Sequence, residues 1–158
     1  MANKSVVVER RISAGADRVW RALTDLEDMP RVLSGVEKVE VLERSSAGPF
    51  GVGTRWRETR RMLGKQATEE MYVTASEPPV RYVVEADSQG AHYVSEFVLR
   101  AEGPDATAVR MTFSAVPPAG VAGLLAKVLG GLGARAVSKA ITRDLDDVAA
   151  AVESARRG

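Results

Sequence analysis

Apolar and polar residues alternate at the start of the chain, where Val6, Val8, Arg10 and Ile12 share one face and Val7, Glu9 and Arg11 the other. A period of two marks a half-buried strand, so Lys4 to Ile12 is expected to be one. The period then changes. Val19, Trp20 and Leu23 stand at helical spacing within Asp17 to Thr24. Asp25 to Leu33 is expected to form a second short helix, with Pro30 near its first turn and Gly35 just past its end. From Val36 the period of two returns in six successive segments: Val36–Glu43, Thr54–Met62, Gln66–Ala75, Val80–Asp87, Ala91–Ala101 and Thr107–Val116. Turn residues such as Gly48-Pro49, Pro78-Pro79 and Gly103-Pro104 separate them, and short connections imply an antiparallel meander.

The last third changes period again. Ile141, Leu145, Val148 and Val152 are spaced four, three and four, a helical stripe, with Arg143, Asp144, Asp147 and Glu153 lying off it. Leu124, Leu125, Val128 and Leu132 extend the stripe upstream, so a helix is expected over Gly120 to Ser154, with a bend where Gly130, Gly131 and Gly133 weaken it. A one-sided helix of that length must cover an apolar surface, and a curled sheet is the large one available. The fold class expected is α+β: a helix-grip, with a seven-stranded curved antiparallel sheet around a long C-terminal helix and two short helices after the first strand. The space between sheet and helix is a natural ligand cavity.

The chain of 158 residues is read as a single domain, 1–158, large enough to bury a core without staples. Its net charge of +1 argues against nucleic acid as the main partner, since phosphate binding needs a cationic excess. The absence of cysteine removes thiol nucleophiles and thiolate metal sites, and one histidine, His92, cannot build a histidine metal site. No metal or cofactor is expected. No segment has the roughly 18–20 apolar residues of a membrane span, and no secretory leader is apparent, so the expectation is a cytoplasmic protein, monomer or homodimer, that does not insert into membranes.

Parity along the strands assigns the inward face. Trp56, Glu58 and Arg60 share it on one segment, Glu69 and Met71 on the next, and Tyr82 on the one after. Tyr93, Ser95 and Phe97 follow, then Met111 and Phe113. With Arg10 from the first strand, these residues are expected to line an apolar pocket holding the charges of Arg10, Glu58, Arg60 and Glu69. Buried charges are costly unless paired. Three readings stand: the charges anchor a ligand or move its protons, Arg10 pairs with Glu58 or Glu69 in a self-satisfied network, or a β-bulge turns some of them to water. Trp56 is read as core or cavity wall, and His92, opposite in parity to Tyr93, as solvated. The arginines at 55, 57 and 61 fall on the opposite, solvent-facing side of their strand.

The run Ile12-Ser13-Ala14-Gly15-Ala16-Asp17-Arg18-Val19-Trp20, closed by Leu23-Thr24-Asp25, resembles the opening of the START-like superfamily, which includes the Bet v 1-like proteins and the polyketide cyclase/dehydrase family. Gly51-Val52-Gly53-Thr54, the Pro78-Pro79 turn, Thr107 and Leu145 also match. The chain departs from the pattern at Gly15, where proline is frequent. It also carries Thr68-Glu69-Glu70-Met71 where polyketide aromatase/cyclases have a Trp-Ser-His-Arg-like stretch. The resemblance implies a cavity for a hydrophobic small molecule. It leaves open cyclase- or dehydratase-like chemistry, carriage or sensing of a lipid or other apolar metabolite, and a chaperone-activator-like interaction module.

Overall fold

In the computed structural model, which describes residues 5–62, 64–88, 90–116 and 131–157, seven strands form one antiparallel sheet and a long helix packs on it. Strand β1 (Ser5–Ile12) leads into helix α1 (Ala16–Thr24), a 3-10 turn (Leu26–Asp28) and the short helix α2 (Met29–Val32). Strands β2 (Val36–Glu43), β3 (Arg55–Met62), β4 (Lys65–Glu77), β5 (Arg81–Ser88), β6 (Ala91–Ala101) and β7 (Thr107–Val116) follow, and the terminal helix α3 spans Gly131–Arg157. Across the sheet the order is β1-β7-β6-β5-β4-β3-β2, so β2 to β7 form a meander and β1 docks beside β7. This is the helix-grip architecture. The upstream part of the expected helix, with Leu124, Leu125, Val128 and Gly130, lies outside the described residues, as does the side chain of Leu132. Among the described residues no helix is long and apolar enough to cross a membrane.

The apolar stripes meet where the spacing puts them. Ile12, Val19, Val73, Val109, Leu145 and Val148 are all nearly inaccessible to solvent, and Trp20 packs edge-on against Tyr82. Gly15 precedes α1 at a close approach: a side-chain carbon there would lie 2.8 Å from the Pro104 carbonyl oxygen. Beside it, the buried Thr107 hydroxyl donates to the Ala14 carbonyl at 2.8 Å. These matched positions therefore hold the end of β1 against β7, and their work is structural.

The expectation for the second short helix needs correction. The second helix is not continuous from Asp25 to Leu33. The Asp25 carboxylate accepts from the Asp28 backbone N–H, stabilising a 3-10 turn, and Pro30 sits in the first turn of the separate four-residue α2. The charged residues off the α3 stripe have specific partners. Asp147 accepts from both the backbone N–H and the hydroxyl of Ser34, and Glu153 accepts from the Ser13 N–H. Arg18 of α1 donates to the Val152 carbonyl. A helix seated against a sheet and two loops has partners on its flanks, which an apolar stripe does not reveal.

On the outer sheet face Arg57 and Arg61 pair across strands with Glu40 and Glu37. His92, expected to be solvated, lies between two carboxylates: Nδ1 is 2.7 Å from Asp87 and Nε2 is 2.6 Å from Glu85. The hydrogen bonds to Asp87 and then Glu85 raise the imidazole above its usual range, with desolvation opposing them.

Leu145, 1% exposed, is the centre of the gripped stripe, and Leu145→Ala is expected to cost about 2–5 kcal/mol, read as a lower urea midpoint. An unchanged midpoint would mean that the sheet does not hold α3. The imidazolium clamp has a defined sign. A raised histidine pKa contributes stability that is complete below the unfolded value of about 6.5 and is lost as pH rises through the folded value. Wild type is expected to exceed His92→Gln in urea midpoint near about pH 6, by a margin that shrinks toward about pH 9. A margin that widens with pH would exclude the clamp.

Candidate functional site

Between the sheet and α3 lies a cavity of about 250 Å³, continuous in its lining with a deeper chamber of about 130 Å³. The period-two face of β3 brings Glu58 and Arg60 to the junction, and α3 brings Asp144 and Ile141 down onto them. Glu69, Tyr93 and Phe113 line the outer chamber. Trp56, Tyr82 and Phe97 line the inner one. Met71, Ser95 and Met111 border both. The aromatic walls are ordered by stacking: Tyr82 lies parallel to Phe97 with centroids 4.5 Å apart, and Tyr93 stacks on Phe113 at 5.5 Å. Trp56, 2% exposed, is both core and wall.

Arg10 is not among these residues. Its Nε meets Asp146 of α3 at 2.8 Å with 38% of the side chain exposed, and no contact to Glu58 or Glu69 forms. Its parity is as expected, on the face of Val8 and Ile12. However, β1 is an edge strand, separated from β3 and β4 by β7, β6 and β5, and its inward face at Arg10 meets the flank of α3. The cross-cavity pair is replaced by a half-exposed pair at the rim.

The charges at the junction form one chain. The Trp56 indole N–H donates to Glu58 Oε1 at 3.3 Å, the Arg60 Nε donates to Glu58 Oε2 at 3.2 Å, and an Arg60 terminal nitrogen lies 2.9 Å from Asp144 Oδ2. Glu58 is 4% exposed and its charge is paired by Arg60, not by the Arg10 that the network reading assigned to it. Desolvation works against the Arg60 charge, but Asp144 and Glu58 outweigh it and hold the guanidinium above its ordinary pKa. Asp144 is pushed up to about 6, chiefly by burial, with Arg60 pulling the other way and Glu58 and Asp147 adding to the rise.

Glu69 stands apart from this chain. It pairs in register with Glu58, which puts two carboxylates side by side on the inner face of β4 and β3. Burial, and then the Glu58 charge, raise its pKa, while a Ser88 hydrogen bond and Arg60 partly offset the rise. Burial likewise raises Tyr93, beside Glu69, and carries Tyr82 well above the ordinary phenol value, with Asp144 and Glu58 adding to it.

Asp144 is the site residue that periodicity hides. It falls with the polar side of α3, yet Val137, Ile141, Asp144 and Val148 are also spaced four, three and four. That second stripe borders the first and faces the cavity.

A family model described as polyketide cyclase / dehydrase and lipid transport matches residues 3–153. The chain belongs to this family. No curated protein sequence matches it. Among solved structures it is similar to the protein TTHA0849 from Thermus thermophilus, at 27% identity over 94% of this chain and 99% of that one, with a TM-score of 0.70. The Zhui aromatase/cyclase from Streptomyces sp. R1128 shares the fold at 22% identity, covering 96% of this chain and 94% of that one, with a TM-score of 0.76. A START superfamily protein from Mycobacterium smegmatis shares it at 17% identity, 87% and 93% coverage and a TM-score of 0.68. The family's fold is thus present here, with a buried acid–arginine–acid chain at the waist of its cavity.

The Asp144 environment predicts a pH signature. A raised carboxyl pKa means that the native state holds the proton more tightly than the unfolded chain, so this group's contribution falls as pH rises from about 4 through about 6. Urea midpoints of wild type minus those of Asp144→Asn are expected to decline across that window and then level. A flat difference would place the Asp144 carboxyl in a solvated environment, and one that rises with pH would mean that the Arg60 charge outweighs burial.

Proposed function

We propose that this protein binds a compact, largely apolar small molecule between its sheet and α3, with the molecule's polar group at the Glu58–Arg60–Asp144 junction. The observation that carries this reading is the cavity itself. It is walled by Met71, Met111, Phe113 and Ile141 and has its charges gathered at one waist, the arrangement typical of small-molecule sites. A protein-interaction module of the same fold would need its interior filled, whereas the described residues leave a cavity of about 250 Å³. Family membership makes a polyketide-type or lipid molecule the first class to test.

A second reading, acid–base chemistry on the bound molecule, is favoured by one observation. Burial pushes Asp144 up to about 6, close to the neutral pH at which an acid–base group works best. Arg60, fixed by Glu58, would stabilise negative charge developing on a ligand oxygen, while the cavity holds a flexible chain in a reactive conformer. In this reading Arg60 and Asp144 take the roles, and Arg10 has none.

The binding reading is tested with N-phenyl-1-naphthylamine, a neutral probe that fluoresces in apolar surroundings. Saturable binding is expected to wild type and to be lost in Ala140→Trp, which places a bulky ring into the cavity from α3. Far-ultraviolet circular dichroism would establish that the variant keeps its fold. Equal binding by both proteins would reject the cavity as the site, and native mass spectrometry of freshly purified wild type provides an independent check through any retained small molecule.

A further inference from the structure

The charged groups facing the cavity are out of balance. Arg60 is the one cation on its described lining, against the three carboxylates Glu58, Glu69 and Asp144. Its Nε is engaged by Glu58 and a terminal nitrogen by Asp144. Among the described residues Glu69 has no cation within ion-pairing distance, and its accepted bond comes from Ser88. An opposed pair of like charges on one sheet face is destabilising unless something stands between or beside them.

An independent observation points the same way. The stacked pairs Tyr93–Phe113 and Tyr82–Phe97 line the cavity, and an aromatic ring attracts a cation that reaches its face. Burial and the neighbouring carboxylates hold both tyrosines in the neutral phenol form, so their rings keep this character at ordinary pH.

Resting on the reading that the cavity binds a small molecule, we propose that this ligand carries a protonated amine, held by Glu69 in the outer chamber beside the Glu58–Arg60–Asp144 chain, with its apolar body against the aromatic walls. An ammonium has three donors and no acceptor, so it suits a lining on which carboxylate oxygens outnumber the charged donors. It also supplies the positive charge the lining lacks. A carboxylic acid would add a fourth negative charge, and a neutral ligand would leave the Glu58–Glu69 repulsion in place. The pH dependence follows from the groups around the site. Asp144 faces Arg60 and Glu58 of β3, Tyr82 of β5 and Asp147 of its own helix, and Glu69 faces Glu58, Arg60, Ser88 and Tyr93. As pH falls, Asp144 and Glu69 take up protons and the attraction for an ammonium weakens.

The test is isothermal titration calorimetry of wild type with three probes of one shape: 2-naphthylmethylamine, 2-naphthalenemethanol and 2-naphthoic acid. At about pH 7.5 the amine is expected to bind about ten-fold or more tighter than the alcohol, with the acid weakest, and the amine's advantage should shrink below about pH 6. Glu69→Gln should remove most of that advantage, bringing the amine's affinity to within about two-fold of the alcohol's. Glu70→Gln, on the outer face beside Arg57, should alter neither. If the alcohol binds and the amine binds no tighter, or if the acid binds best, the amine proposal is overturned and the binding reading survives. If none of the three binds, both are overturned.

Discussion

The Arg60 guanidinium joins the two halves of this fold. It is anchored on β3 by Glu58, itself tied to Trp56, and it reaches the carboxylate of Asp144 on α3. The apolar stripe of α3 supplies the free energy of packing, but it is non-directional and would accept small shifts along the helix. A planar, bidentate-capable group between two carboxylates accepts far fewer, so the pair sets how the helix sits over the sheet. A buried ion pair is weak evidence for stability, because desolvation offsets the attraction. Its effect here is positional: it keeps the waist of the cavity polar and open where aliphatic side chains would have closed it.

Around that waist the protein separates two tasks. Ile12, Val19, Val73 and Val109 form a dry core, while Met71, Met111, Tyr93 and Phe113 border space. The same strands serve both because the sheet curves away from the helix. The charges outside the cavity serve neither task. The strand pairs of Arg57 and Arg61 are exposed and, like most surface pairs, add little stability. The His92 clamp lies on that outer face, remote from the Glu69 side of the sheet. The chemistry of the site is therefore set by very few groups, and the surplus of carboxylate over cation among them gives the cavity its character.

Much of the fold was legible in the sequence for a simple reason. Period-two alternation over six segments, followed by a four-three-four stripe, admits few arrangements in which every apolar face is covered, and the helix-grip is one of them. The same alternation placed Trp56, Glu58, Arg60, Glu69, Tyr93 and Phe113 on the cavity face, because parity is local and survives folding wherever the register is regular. Arg10 has the correct parity and the wrong neighbourhood. Parity says which face of the sheet a side chain occupies, and only strand order says what stands opposite that face. Asp144 shows the converse limit. A helix has several faces, and hydrophobicity marks only those that meet apolar partners, so a carboxylate facing a buried arginine reads as solvated until the arginine is placed. The chain by itself determined the elements, their inward faces and the poverty of its charge excess. The pairing of Arg60 with Asp144, the removal of Arg10 to the rim and the isolation of Glu69 were decided by tertiary structure, because each depends on the distance between groups far apart in sequence, and no local pattern encodes such a distance.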